Sequence, residues 1–352
     1  MAKYNIGVDY HKKFSYLVVK DEMGKVLRSG QVMNKKADVN KFLKPFTNDS
    51  AAVLESCRNW QVMHEWLEEM IDHVVLANPY KVKAIAEAKI KTDKIDATVL
   101  ADLLRVNMIP ECYVAPREVR DLRTLLRQRI FFVQTRTKVK NRIVTIVDRY
   151  PEEVQKWKAV TDQFGKKGRK QIEELCFSPM DRALIEREMS FIDMINLYIK
   201  EIEDVIGENF KESKNAQLLK TIPGIGQFFS MLIDSEIGEI ERFKTVKKLS
   251  SYAGLIPATY SSGGKTTQGR ITKSGNHLLR WALVEAVIPA IASDEELRAE
   301  YDFLRKRMNY NKAKVAIARK ILAICFRVLK DERAYKKKNK IELEYKRLSR
   351  AA

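Results

Sequence analysis

The chain has 352 residues, 65 Lys and Arg against 46 Asp and Glu, and a formal net charge of +19. That length suggests two or three domains with ample core, and the excess of positive charge points to a polyanionic partner. No apolar run reaches the length of a membrane span and Met1-Ala-Lys-Tyr4 leads into a strand, so no membrane association or secretion signal is expected and the predicted compartment is the cytoplasm.

The first 110 residues read as three strands (Asn5–Tyr10, Phe14–Lys20, Lys25–Met33), a helix (Ala37–Phe46), a strand (Ala51–Glu55), a helix (Trp60–Ile71), a strand (Val74–Ala77) and further helices. Short turns such as Asp21-Glu-Met-Gly24 join the first three strands, which predicts an antiparallel meander. The later strands alternate with helices, which predicts parallel pairing through crossovers. This pattern is that of an α/β RNase H-like domain.

Four acids stand out within it. Asp9 ends the first strand and Glu55 ends the fourth, so parallel neighbours would bring both to one rim. Asp93 and Asp96 are three residues apart, on one helix face. Each acid has a simpler reading: Asp9 as a turn former, Glu55 as a solvated rim residue, and Asp93-Lys-Ile-Asp96 as a capping box. Taken together, four carboxylates at one rim would repel one another unless cations lay between them, and Mg²⁺ takes such ligands, with Mn²⁺ as a substitute. A metal pair there would serve in-line phosphoryl transfer.

Other metal chemistry is not expected. Cys57, Cys112, Cys176 and Cys325 form no CxxC pair and read as reduced thiols. The four histidines lack HxxxH spacing, which argues against zinc. His11, two residues after Asp9, could lie near such metals, although a surface or turn histidine is the simpler reading.

Pro110 and Pro116 bracket a break. Arg117–Tyr150 is predicted as a long basic helix, carrying Arg120, Arg123, Arg127, Arg129, Arg136, Lys138, Lys140 and Arg142, ended by Pro151. Phe164-Gly-Lys-Lys-Gly-Arg169 reads as an exposed loop. A second long helix runs from about Asp181 to Phe210, with Ile192, Ile195, Ile199, Ile202 and Ile206 at the 3-4-3-4 spacing of a coiled-coil seam. The two helices are expected to fold back as an antiparallel hairpin, although the seam could also pair between subunits.

The last third is expected to be mainly α. Thr221-Ile-Pro-Gly-Ile-Gly226 resembles the turn of a helix-hairpin-helix element, where Gly224 and Gly226 would let backbone N–H groups approach a phosphate; a plain helix–helix turn is the alternative. Ser261-Ser-Gly-Gly-Lys265 is a second chemical hotspot. Its likeness to a P-loop fails, because Thr259 stands where the first glycine should and no strand is expected before it. Gly263 and Gly264 would let backbone approach a ligand, and Lys265, Arg270, Lys273 and Arg280 would supply charge for phosphate. A serine could attack phosphorus if a base removed its proton; no His or Asp base is evident nearby, so from residue chemistry alone the loop reads as a grip on DNA. From Asn311 onward the chain reads as a basic helix and tail with Lys336-Lys-Lys-Asn-Lys340, facing a polyanion.

Asn78-Pro79, Lys91-Thr-Asp-Lys-Ile-Asp-Ala97 and Leu100-Ala101, together with Asp9 and Glu55, resemble the DEDD domain of the IS-one-ten family of insertion-sequence transposases, which includes the Piv-type DNA invertases. Ile222-Pro-Gly-Ile-Gly226, Tyr252-Ala-Gly-Leu-Ile-Pro257, Ser261-Ser-Gly-Gly264, Gly269-Arg-Ile-Thr-Lys273, Gly275-Asn276 and Leu279-Arg280 resemble that family's second domain. The resemblance implies a RuvC-like metal domain (1–112), a helical coiled-coil spacer (113–214), a transposase domain (215–330) and a basic tail (331–352). It implies that Asp9, Glu55, Asp93 and Asp96 are the metal-binding tetrad and that the serine directly before the glycines, Ser262, is the nucleophile, with Ser261 one residue away. It also implies double-stranded donor and target DNA and a structured non-coding bridge RNA as partners. A thirty-residue helical arm spans about 45 Å, which suggests a dimer or tetramer with composite sites. The alternative functions are a junction-resolving endonuclease using metal-activated water, and a non-catalytic nucleic-acid-binding scaffold.

Overall fold

The computed structural model describes residues 2–86, 92–262 and 265–337, in two compact units divided between Ala115 and Pro116. Gly263, Gly264 and Lys338–Lys340 therefore lie outside the described residues, as do the side chains of Ser262 and Lys265.

In the first unit a five-stranded sheet has the order β3-β2-β1-β4-β5, with β1 (Tyr4–Tyr10), β2 (Phe14–Asp21), β3 (Val26–Met33), β4 (Ser50–Glu55) and β5 (His73–Ala77). β1, β2 and β3 pair antiparallel, and β1, β4 and β5 pair parallel. The β2–β3 turn is built by Asp21, whose Oδ1 accepts from the backbone N of Met23 (3.0 Å) and Lys25 (2.8 Å), an Asx-type turn. This mixed α/β sheet is compatible with the RNase H-like fold expected for the first unit.

Side-chain alternation divides the sheet's two faces. Ile6, Val8, Leu17, Val19 and Leu54 face α1 (Lys36–Leu43) and α2 (Trp60–Glu68), packing on Val39, Leu43, Met63 and Leu67. Val53, Val75 and Ala77 face the other way, onto Val82 of α3 (Pro79–Ile85) and Leu100 and Leu103 of α4 (Asp93–Arg105). Each such leucine contributes about 1.5–3 kcal/mol by burial. Lys20 on β2, nearly buried, fixes α4 further by donating from Nζ to both carboxylate oxygens of Asp102 at 2.7 Å.

The second unit is helical apart from one hairpin. α5 (Arg117–Val147) and α8 (Pro179–Glu212) pack antiparallel: Arg149 meets Asp181 near one end, Arg142 meets Glu188, Arg136 meets Asn196, and Arg129 meets Glu203 towards the other. Ile192, Ile195, Ile199 and Ile206 are buried within the unit. Between these helices one expectation holds and one fails. α5 stops just short of Pro151, and Pro151 itself starts α6 (Pro151–Lys158), because proline suits a first helical turn. The segment expected as an exposed loop enters α7 (Lys166–Glu174), where Ile172 and Leu175 join Trp157 in a local core and the Trp157 indole donates to the carbonyl of Gly168 (3.2 Å).

The remaining elements are α9 (Lys214–Lys220), α10 (Gln227–Ile237), α11 (Val246–Tyr252), β6 (Pro257–Ser262), β7 (Lys265–Ile271), α12 (His277–Glu285), α13 (Val287–Ser293), α14 (Glu295–Arg305) and α15 (Tyr310–Lys330). One core joins α9–α15 to Leu126 and Ile130 of α5 and Ile206 of α8. α15 corrects the expectation of a polyanion-facing C-terminal helix: Ile317, Ile321, Leu322, Cys325 and Leu329 are buried in that core. The chain beyond it is also tied down, with the Tyr335 hydroxyl donating to Asp294 (2.9 Å) and Lys337 donating to the Ser293 carbonyl (2.9 Å). Among the described residues no helix is long and apolar enough to cross a membrane.

Candidate active site

Asp9 and Glu55 follow the paired residues Val8 and Leu54 at the ends of parallel neighbours, so they leave the sheet at the same rim. Period-2 alternation puts Gly7 and Asp9 on the face that α4 covers. A β carbon at Gly7 would lie 1.9 Å from the Ala97 carbonyl oxygen and 2.7 Å from the Ala101 nitrogen, so glycine is what lets α4 approach β1 this closely. That approach sets the first turn of α4, with Asp93 and Asp96, beside Asp9.

The capping reading of Asp93 does not hold. Thr92 is the N-cap, its hydroxyl accepting from the Ile95 N–H (3.2 Å). The Asp93 carboxylate turns to the site instead. Asp9, Glu55, Asp93 and Asp96 all line one cavity of about 370 Å³, with His11, Lys83 and a wall of Val82, Val99 and Leu100. Burial raises the Asp9 carboxyl above its ordinary value; His11 opposes this, and the charges of Asp93 and Asp96 add to it. Like charges crowded around a half-buried carboxylate, with oxygen donors facing a cavity, suit a hard divalent cation, which would relieve that repulsion.

His11 is both a turn residue, 40% exposed between β1 and β2, and a neighbour of the acids. Its Nε2 lies 3.1 Å from Asp9 Oδ2 and 3.3 Å from Asp93 Oδ1. The signal was present in the sequence: residues 9 and 11 of an extended segment point the same way.

In the second unit the serines sit on a β-hairpin. β6 pairs with β7, Ser261 opposite Thr266 and Ser262 opposite Lys265. A strand does precede the glycines, contrary to expectation, but another strand follows where a P-loop needs a helix. Arg270 and Lys273 are exposed beside this hairpin. Arg280 is partly withdrawn: it donates to the Ala253 carbonyl (2.9 Å), and burial lowers its pKa. Gly224 serves the fold. At φ +83° it turns against the α12–α13 junction, where a β carbon would lie 2.3 Å from the Ala286 carbonyl oxygen. Gly226 is the exposed N-cap of α10, with open space around its α carbon.

Several arginines of the basic helix α5 are engaged inside the unit. Arg127 donates to both oxygens of Glu236 (2.8 and 3.2 Å), Arg123 donates to the Ser235 carbonyl (2.7 Å), and Arg129 and Arg136 bond α8. Glu236, 1% exposed, also accepts from Asn276 Nδ2 (2.7 Å), and Asn276 caps α12 just after the hairpin. Sequence reasoning missed this buried cluster, because Glu236 looks like an ordinary acid near a helix end.

Two segments of the chain match known family models. Residues 6–151 match the DEDD transposase model of the IS110 group, and residues 216–302 match the model described as transposase, IS116/IS110/IS902 family. The chain belongs to the IS110/IS116/IS902 family of insertion-sequence transposases. It is 24% identical over 342 residues, 94% of this chain and 91% of the other, to the transposase for insertion sequence element IS1111A of Coxiella burnetii. It is 27% identical over 235 residues, 66% of this chain and 68% of the other, to the transposase for element IS1328 of Yersinia enterocolitica. It is also 35% identical over 128 residues, 35% of this chain and 39% of the other, to the pilin gene-inverting protein of Moraxella bovis.

Proposed function

We propose that the chain is the recombinase of a mobile element, cutting and rejoining DNA through a serine nucleophile assisted by an acid-held divalent cation. The observation that carries this reading is the convergence of Asp9, Glu55, Asp93 and Asp96 on one cavity in a chain of this family. Mg²⁺, or Mn²⁺ in its place, bound by these carboxylates would supply charge for the phosphoryl group being transferred. Asp9 and Glu55 hold their position through the sheet, and Asp93 and Asp96 through the first turn of α4. Ser262 attacks phosphorus: its Oγ–P bond forms as the P–O bond to one sugar breaks, and the proton lost by the hydroxyl is regained by the departing sugar oxygen. The resulting phosphoserine conserves the energy of the phosphodiester for rejoining.

Exposed Arg270 and Lys273 would grip phosphate beside Ser262, with affinity falling as salt rises. Gly263, Gly264 and Lys265 are proposed to complete that grip. Choice of DNA sequence is assigned to a structured bridge RNA. Active sites completed across a dimer or tetramer would follow if one chain's acids served another chain's Ser262, and mixing Asp9→Ala with Ser262→Ala protein would then restore some cleavage. The direct test is alanine at each acid in turn. Cleavage of element-end DNA should be lost while salt-dependent DNA binding persists; full recombination by an Asp9→Ala/Asp96→Ala double variant would overturn the reading.

A further inference from the structure

His11 stands at the acidic rim, within hydrogen-bonding distance of Asp9, and the tetrad does not account for it. The ring is placed firmly. The His11 backbone N–H donates to the Phe14 carbonyl (3.1 Å), the Asn34 amide donates to the His11 carbonyl (2.6 Å), and the imidazole packs on the Phe14 ring at 5.1 Å. Its Nε2 is thereby presented to the same space as Asp9 Oδ2 and Asp93 Oδ1, and the three donor atoms lie within 4.8 Å of one another.

The spacing has chemical content. Neighbouring ligands on an octahedral cation with bonds of 2.0–2.1 Å stand about 3.0 Å apart. The observed separations from Nε2, 3.1 and 3.3 Å, are close to that edge length. Nε2 therefore needs shifts of only a few tenths of an ångström to share a cation with either oxygen, and the two oxygens lie within 4.8 Å of each other. Resting on the metal reading above, we propose that His11 is a direct ligand of the cation through Nε2, so that the site is a mixed carboxylate–imidazole centre.

The consequence is a changed metal preference. Imidazole nitrogen favours the later first-row divalent metals, whereas Mg²⁺ favours oxygen. The wild-type site should accept Co²⁺ more tightly than a carboxylate-only site would. His11→Ala should weaken Co²⁺ binding at least about tenfold, the scale on which even indirect partners of metal ligands act, and change Mg²⁺ binding much less.

Pulsed EPR of the full-length protein loaded with Mn²⁺ tests the bond itself. Wild type should show ¹⁴N coupling from a directly bound imidazole, and His11→Ala should lose it while still binding Mn²⁺. If wild type binds Mn²⁺, and Asp9→Ala releases it, but no nitrogen coupling is seen, the cation is held without His11 and the proposal is wrong while the metal reading stands. If wild type binds no Mn²⁺ at all, both fall.

Discussion

Gly7 on β1 and Ala97 on α4 are in backbone-to-backbone approach, close enough that a β carbon on Gly7 would stand 1.9 Å from the Ala97 carbonyl oxygen. Asp9 lies two residues beyond Gly7, Asp96 lies immediately before Ala97, and Asp93 lies about one turn of helix before it. A single missing methyl group therefore sets the distance between the strand that carries one acid and the helix that carries two.

Gly7→Ala should lift α4 from the sheet. Overpacking of well-packed interiors costs about 1–3 kcal/mol, and the backbone on both sides of this contact leaves little room for repacking. Thermal denaturation should show a lower midpoint. Titration with Mn²⁺ at a temperature where the variant is folded should also show weakened binding, because the acids no longer converge. Unchanged metal affinity would mean that α4 keeps its place by other contacts.

Glu236 and Arg127 make a second prediction. Breaking a buried ion pair by removing one partner costs about 3–5 kcal/mol; the lower end applies here because Arg127 is 52% exposed. Glu236→Ala should lose that much in urea denaturation and disturb the hairpin through Asn276. Since α5 spends its arginines on such contacts, Arg127→Ala should reduce stability and leave the salt dependence of DNA binding nearly unchanged. A shallower salt slope would assign Arg127 to phosphate after all.

Asp234 predicts a pH effect. Burial raises its carboxyl above the ordinary 3.8, against hydrogen bonds from Ser213 and Asn215 that lower it. The folded protein thus holds this proton more tightly than the unfolded chain does. Its contribution to stability is complete below about pH 3.8 and is lost as pH rises through the folded value. At neutral pH the buried charge is a burden, so Asp234→Asn, which keeps an acceptor for the Ser213 hydroxyl, should unfold at higher temperature than wild type. The difference should vanish at the acid end, where both side chains are neutral. A variant less stable at pH 7 would show that the charge itself is used.

The first unit was largely legible in the sequence because its physics is local. Ile6 and Val8 alternate with Asn5, Gly7 and Asp9, Leu17–Val19 is a short apolar run, Asp21–Gly24 is a recognisable turn, and the later strands are separated by helix-length segments. The shared rim of Asp9 and Glu55 followed from strand direction, whereas the place of Asp93 and Asp96 beside them depends on the packing of α4 against Gly7. Less legible were features decided by tertiary contact. Phe164–Arg169 is so charged that it reads as loop, yet Trp157 draws the chain into a helix. β6 carries Thr259, Tyr260, Ser261 and Ser262 with no apolar alternation, so only its pairing with β7 reveals a strand. The basic residues of α15 hid its buried face of Ile317, Ile321 and Cys325. The spacing of His11 from Asp9 allowed a place near the acids, but a lone histidine after a strand has many ordinary uses, and the folded rim shows the atoms it faces.

The central claim, that an acid-held cation and Ser262 together carry out strand exchange, is tested most directly by trapping the protein on DNA carrying the element's ends. Wild-type protein with Mg²⁺ should yield a denaturant-stable adduct whose peptide map places the DNA on Ser262. Asp9→Ala and Ser262→Ala should form none, and Ser261→Ala should retain it. DNA cut to free ends with no adduct from wild type, and cut equally by Ser262→Ala, would contradict the claim and identify a metal-dependent nuclease that uses water.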